Sequence, residues 1–235
     1  VIGRAASGGR KPYRYSWSPA QGLDNSSAEF PRASPDVSTF YTVTVTDSAG
    51  CVSQAAMWVN VYPKQVISAG SDTGVCLGAS IQLQATGKGR FAWTPGTGLS
   101  DSTIQNPVAS PQRTTVYTLT VTDSNGCTSR DSVTVQVYDL PTITIGPDDS
   151  VCDGNALFIY NIEAKNGTPP YEYRWSPSAG VSDVTTPAPV FSPVTTTRYT
   201  LTVMDAHGCM AADSFTIVVN PLPIADAGTD RAICK

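Results

Sequence analysis

Hydrophobic and polar residues alternate with a period of two along much of this sequence. Tyr117, Leu119 and Val121 fall on one face of an extended segment, and Thr118, Thr120 and Thr122 fall on the other. After a turn at 123–126, Val133, Val135 and Val137 alternate with Thr134 and Gln136. This alternation is that of a half-buried strand, and two such runs around a Gly-containing turn predict a β-hairpin. Ile81, Leu83 and Ala85 predict an earlier strand. No segment carries the 3.6-residue period of a helix.

The pattern recurs. Trp17-Ser18-Pro19-Ala20-Gln21-Gly22-Leu23 matches Trp93-Thr94-Pro95-Gly96-Thr97-Gly98-Leu99 and Trp175-Ser176-Pro177-Ser178-Ala179-Gly180-Val181, so the tryptophans are spaced by 76 and 82 residues. Tyr41, Tyr117 and Tyr199 open matching strands at the same spacings, and Gly50-Cys51, Gly126-Cys127 and Gly208-Cys209 follow in phase. The six extra residues of the third repeat fall before Trp175, around Asn166-Gly167-Thr168-Pro169-Pro170. That region reads as a hairpin loop, where length changes are tolerated.

Aligning Val1 with Ile159 starts the chain inside the second strand of repeat one, and residues 227–234 match 69–76 and open a fourth repeat. The expected domains are 1–62 (a repeat without its first strand), 63–140, 141–222, and a further first strand at 223–235. A chain that begins at Val1, with no basic and apolar leader, is expected to be a piece of a longer array. If that longer protein is proteolysed or assembled in pieces, a strand from another chain could complete repeat one by β-augmentation.

About seven short strands per repeat, with a Trp on the third, predict an all-β tandem array of immunoglobulin-like sandwiches. Trp17, Trp93 and Trp175 are the expected core anchors, together with Tyr41, Tyr117 and Tyr199 at tyrosine-corner positions. The short Pro-containing joints around Pro63, Pro141 and Pro221 are expected to limit bending, giving a rod.

Composition narrows the function. Charged residues are 14% of 235, the net charge is −4, and there is one His. No basic field for nucleic acid exists, and no apolar run reaches the ~18–20 residues that span a bilayer. A hydrophobic fraction of 40% is too high for a disordered linker. Catalysis finds no support, because His207 fills a turn position held by Ala49 and Asn125 in the other repeats. An enzyme is not expected.

Cys51, Cys76, Cys127, Cys152, Cys209 and Cys234 recur at fixed phase without any Cys-x-x-Cys, which reads as disulfides in an exported, extracellular protein. Three pairings stay open. One staples repeats through Cys76 and Cys209, and it is favoured because cysteines within a repeat are expected at opposite ends of the sandwich. A second pairs cysteines 25 residues apart, and a third pairs Cys76 with Cys127 and Cys152 with Cys209.

The pattern Tyr-x-Trp-Ser-Pro followed by Tyr-Thr-Leu-Thr-Val-x-Asp-x-x-Gly-Cys resembles the PKD-like repeats of very large surface proteins of gliding and predatory Bacteroidetes. Residues 225–230, Ala-Asp-Ala-Gly-Thr-Asp, resemble the opening of PKD domains. The family's usual Trp-Asp-Phe-Gly-Asp-Gly is replaced here by Trp-Ser-Pro-x-x-Gly-Leu. The resemblance implies a structural stalk or filament segment, secreted by the type IX route and serving adhesion, gliding or prey attachment. Its expected partners are neighbouring repeats and other copies in a filament or bundle. Ser48, Ser102, Ser132 and Ser150 sit in triplets resembling the O-glycosylation signal of such exported proteins, and Asn25 and Asn166 head N-glycosylation triplets.

Two further chemistries bear on the recurring carboxylates and the aromatic residues. Asp47, Asp123 and Asp205, and Asp72, Asp148 and Asp230, recur in phase. Calcium at domain junctions is possible with such carboxylates, but Asx-turn chemistry is the expected role. No cofactor is expected. The alternative function is a carbohydrate-binding accessory module of a secreted hydrolase, which would need an exposed aromatic row drawn from Trp58, Tyr13, Tyr15, Tyr171 and Tyr173.

Overall fold

The computed structural model describes residues 1–159 and 162–232, so Cys234 lies outside the described residues. The chain folds as two compact units, Val1–Val66 with Val121–Ser129, and Ile67–Thr120 with Arg130–Lys235.

Repeat one holds β1 (Arg14–Ser18), β2 (Thr39–Thr46) and β3 (Val52–Val59), an antiparallel sheet in the order β1-β2-β3. Repeat two holds β4 (Thr73–Cys76), β5 (Ile81–Gln82), β6 (Arg90–Thr94), β7 (Val108–Ala109), β8 (Thr115–Thr122) and β9 (Thr128–Tyr138). Its sheets run β4-β9-β8-β6 and β5-β7. Repeat three holds β10 (Thr142–Ile143), β11 (Asp149–Cys152), β12 (Leu157–Phe158), β13 (Ala164–Lys165), β14 (Glu172–Ser176), β15 (Val190–Phe191), β16 (Thr197–Met204) and β17 (Met210–Asn220). Its sheets run β11-β17-β16-β14, β12-β15 and β10-β13. Each complete repeat is an immunoglobulin-like sandwich of a long four-stranded layer and a layer of very short strands.

Alternation decides which layer face is core. Tyr117, Leu119 and Val121 in β8, and Val133 and Val135 in β9, are at most 1% exposed, and the threonines between them face out. Burial of such side chains contributes roughly 1.5–3 kcal/mol each. Repeat three adds an aromatic cluster, in which Trp175 meets Phe191 edge-on at 5.0 Å and Phe191 meets Phe215 at 5.3 Å.

Three details add to or differ from the sequence reading. Repeat two has six strands, because Leu83 and Ala85 are buried as irregular chain after the two-residue β5. β4 of repeat two and β11 of repeat three pair parallel with the last strand of their repeat, at Thr73↔Val135 and Asp149↔Ile217. The start of repeat one shifts by one residue. The Ile2 N–H donates to Pro31 O as the Leu83 N–H does to Pro107 O, so Ile2 takes the place assigned to Val1. Ile2 is buried against Trp17 and Tyr41. Repeat one also carries the longer hairpin of repeat three. Tyr13 donates to Gly8 O and Tyr171 to Asn166 O, and Lys11-Pro12 and Pro169-Pro170 are both cis.

Candidate functional site

Two constructions stand out: one recurs in every repeat, and the other joins two repeats. The first fixes the core of every repeat. Trp17, Trp93 and Trp175 are 5%, 3% and 2% exposed, and their indole Nε1–H groups donate to Ala28 O, Ile104 O and Thr186 O, each at 3.0 Å. A buried indole N–H needs such a partner. The chain then passes a cis-proline at Pro19, Pro95 and Pro177 and turns. On that turn Gln21 O, Thr97 O and Ala179 O accept the hydroxyls of Tyr41, Tyr117 and Tyr199 at 2.7, 3.1 and 2.7 Å.

These tyrosines do not form the expected corner a few residues upstream. Each ties the long hairpin to the turn 20 residues earlier. The geometry explains the motif's glycine. Gly22, Gly98 and Gly180 have φ of +77°, +79° and +72°, and a Cβ there would sit 2.8–3.0 Å from the tyrosine hydroxyl. Burial pushes the Tyr117 and Tyr199 hydroxyls above the ordinary phenol range.

The second construction joins repeat two to repeat three. Cys76, at the end of β4, bonds Cys209, just before β17 of repeat three, with Cα atoms 5.5 Å apart and a sequence separation of 133. That bond excludes the other two pairings for Cys76 and Cys209. Beside it, the Tyr138 and His207 rings stack with centroids 3.6 Å apart and planes 14° apart. In the sequence His207 reads as turn filler, and no signal points to this contact, because the matching turn positions hold Ala49 and Asn125. Cys51, Cys127 and Cys152 are free thiols, with Cys51 and Cys152 exposed.

Buried Asp205 holds the turn that presents Cys209. Its Oδ1 accepts the N–H groups of His207 and Cys209 at 2.9 Å, and its Oδ2 accepts that of Thr168 at 2.9 Å. Burial alone would raise its pKa, but the N–H groups of Thr168, Cys209 and His207 outweigh burial and hold the carboxyl below its ordinary 3.8. Asp47 and Asp123 accept in the same way from Ala49 and Cys51, and from Asn125 and Cys127. Asp72 and Asp148 each accept a backbone N–H from the last strand of their repeat, at Thr134 and Thr216. These five carboxylates thus satisfy backbone donors. Among the described residues no group of three or more His, Cys, Asp or Glu is placed to hold a metal ion.

The remaining candidates scatter. Ser48, Ser132 and Ser150 are exposed, while Ser102 is half-buried and its carbonyl accepts the Trp93 N–H. Tyr13, Tyr15, Tyr171 and Tyr173 are half-buried. Trp58 is 59% exposed and packs on Phe40, with centroids 5.2 Å apart and planes tilted by 52°. Of these five aromatic residues Trp58 alone is exposed. Among the described residues no helix is long and apolar enough to cross a membrane.

No protein-family model matches the sequence, and a search of the curated proteins finds no match. Similar solved structures include three tandem immunoglobulin domains of titin in an E-to-A variant, at TM-score 0.41 and 11% identity, covering 89% of this chain and 88% of that one. Another is the N-terminal eight immunoglobulin domains of Down syndrome cell adhesion molecule, at TM-score 0.46 and 15% identity, covering 88% of this chain and 32% of that one. A third is the insect immune protein hemolin, at TM-score 0.36 and 14% identity, covering 88% and 67%.

Proposed function

We propose that this chain is a tension-bearing stalk or filament segment of a large secreted surface protein. The observation that carries the reading is the Cys76–Cys209 bond, which couples one repeat covalently to the next. A protein that only needed separate beads would gain nothing from bridging them. Tension entering repeat two near Cys76 can leave through Cys209 and β17 without unfolding the 133-residue separation between the two cysteines. The disulfide requires an oxidising compartment, which supports an extracellular place. The short joints and the resemblance to PKD-like surface repeats support a role in adhesion, gliding or prey attachment, with export by the type IX route. No part of this reading calls for an enzyme or a cofactor.

The test is attachment under flow by cells displaying the parent protein with Cys76→Ala and Cys209→Ala. Attachment at rest is expected to match wild type, and retention under rising shear is expected to drop. Equal retention at every shear would overturn the reading. A glycan array probed with the chain is expected to show no sugar-dependent binding.

A further inference from the structure

The joint between repeats two and three is built from residues that the repeat pattern does not supply. The Tyr138 ring stacks on His207 with centroids 3.6 Å apart. The same ring lies against the backbone of β4, where a Cβ on Gly74 would overlap it and sit 2.9 Å from its hydroxyl. Gly74 has no positive φ, so the close approach of the ring, not the backbone conformation, calls for glycine there. Repeat three has neither half of this fit. Ser150 stands where Gly74 does, and Asn220 stands where Tyr138 does. Ala49 and Asn125 stand in the place of His207. Among the described residues, Gly74, Tyr138 and His207 come together at this joint alone.

A second set of contacts ties the joint to the turn that carries Cys209. The longer hairpin of repeat three grips the chain just after Tyr138. Thr142 pairs with Lys165 and Ile143 with Ala164, and the Asn166 side-chain amide donates to Thr142 Oγ1 at 3.0 Å. Gly167 lies between joint and turn, since a Cβ there would sit 3.1 Å from Pro141 N and 3.0 Å from Asp205 Oδ2. Thr168 binds the turn itself. Its N–H donates to Asp205 Oδ2 and its carbonyl accepts the Ala206 N–H, both at 2.9 Å. Asp205 in turn accepts the Cys209 N–H. On the side of Cys76, the N–H of the next residue, Leu77, donates to Tyr138 O at 2.8 Å. Both cysteines are therefore held by their neighbours, and none of these contacts passes through sulfur.

We infer that Tyr138 and His207 are positioning residues for the staple: their stack holds Cys209 opposite Cys76 before the bond exists and so selects this pair. The choice is a real one, because Cys51, Cys127 and Cys152 are free thiols of the same chain. The bond forms as the two thiols give up two protons and two electrons to a small-molecule disulfide such as glutathione disulfide, which leaves as two thiols. The reaction passes through a mixed disulfide on one cysteine, which the other then attacks. Holding the second thiol in place raises its effective concentration for that attack. A staple opened by a reductant can then close again on the same partner while both repeats stay folded.

The inference rests on the reading of the chain as a stapled segment, and one experiment separates the two. The whole chain is equilibrated in glutathione buffers of graded redox ratio at fixed pH, quenched with acid and mapped by peptide mass spectrometry. The measured quantity is the effective concentration of Cys209 toward Cys76. His207→Ala and Tyr138→Asn, which install the residues of the matching positions 49 and 220, are each expected to lower it about fivefold, the worth of one stacked aromatic pair. The double variant is expected to lose no more than either single one, since both remove the same contact. His207→Phe keeps a ring there and is expected to stay near wild type. Gly74→Ser is expected to lower the value in the wild-type background and to leave it unchanged beside Tyr138→Asn. A measurement without substitution accompanies these. In the reduced chain the ring protons of its single histidine are expected to be shifted upfield in the NMR spectrum by the Tyr138 ring. Equal values in all variants, additive losses in the double variant, a His207→Phe loss as large as that of His207→Ala, or unshifted His207 protons in the reduced chain would each overturn the positioning role. If the Cys76–Cys209 peptide is still recovered from wild type in those cases, the stapled reading stands. If wild-type Cys76 is recovered on Cys127 or Cys152 instead, both fall.

Discussion

Tension pulled through repeats two and three should meet the staple as a hard stop. Consider the chain held at Ile67 and Asn220, near the outer ends of the two repeats, and stretched by optical tweezers. With Cys76 bonded to Cys209, the two cysteines are 133 residues apart in sequence, and the chain between them cannot be drawn out. A fully extended chain spans at most about 3.3–3.6 Å per residue, so the locked stretch corresponds to about 450 Å of contour. Full unfolding of the oxidised pair should therefore release only the short segments outside the staple. Adding a reductant, or substituting Cys209→Ser, should lengthen the released contour by about 450 Å. Equal contour lengths before and after reduction would refute the reasoning. Two separate increments of one repeat each in the oxidised protein would do the same, since both repeats would then be outside the force-free loop.

The motif and the buried carboxylate give further expectations. Tyr117→Phe removes a buried hydrogen bond to Thr97 O and is expected to cost about 1 kcal/mol in denaturant titration. Gly98→Ala should cost more than Tyr117→Phe in the same assay, because its φ of +79° is strained for alanine and its Cβ would lie 2.9 Å from the Tyr117 hydroxyl. Trp175→Ala is expected to cost about 3–5 kcal/mol, read as loss of the repeat-three transition. Asp205 has a depressed folded pKa, so its contribution is fully present above the unfolded value and is lost as pH falls through the folded one. Acid titration below pH 3.8 should therefore destabilise repeat three, and Asp205→Asn should remove that dependence while lowering stability at neutral pH. Calcium and chelator are expected to leave the melting temperature unchanged, since the recurring carboxylates already accept backbone N–H groups.

Much of this fold can be read from residue order alone. Period-two alternation places Leu119 and Val121 inward and the threonines outward, and the spacing of Trp17, Trp93 and Trp175 marks three copies of one unit. The Trp-x-Pro-x-x-Gly string announces a turn. Alternation carries no information about pairing direction, so the parallel partnership of Thr73–Cys76 with the end of β9 is visible only in the structure. Nor does it say how far a tyrosine hydroxyl reaches, so the tie from Tyr199 to Ala179 O replaced a shorter corner. The junction was the least legible part. Three cysteine pairings were compatible with the spacings, and only the placement of β4 beside the turn held by Asp205 selects one. The Tyr138–His207 stack belongs to a single junction, so a search for what repeats could not find it.

The central claim, that one repeat is bonded to the next, is tested most directly by peptide mapping of the native protein under non-reducing conditions. The account predicts that the Cys76 peptide is recovered joined to the Cys209 peptide and separates from it on reduction. Recovery of Cys76 joined to Cys127, with Cys152 joined to Cys209, would make each repeat an independent bead and contradict it.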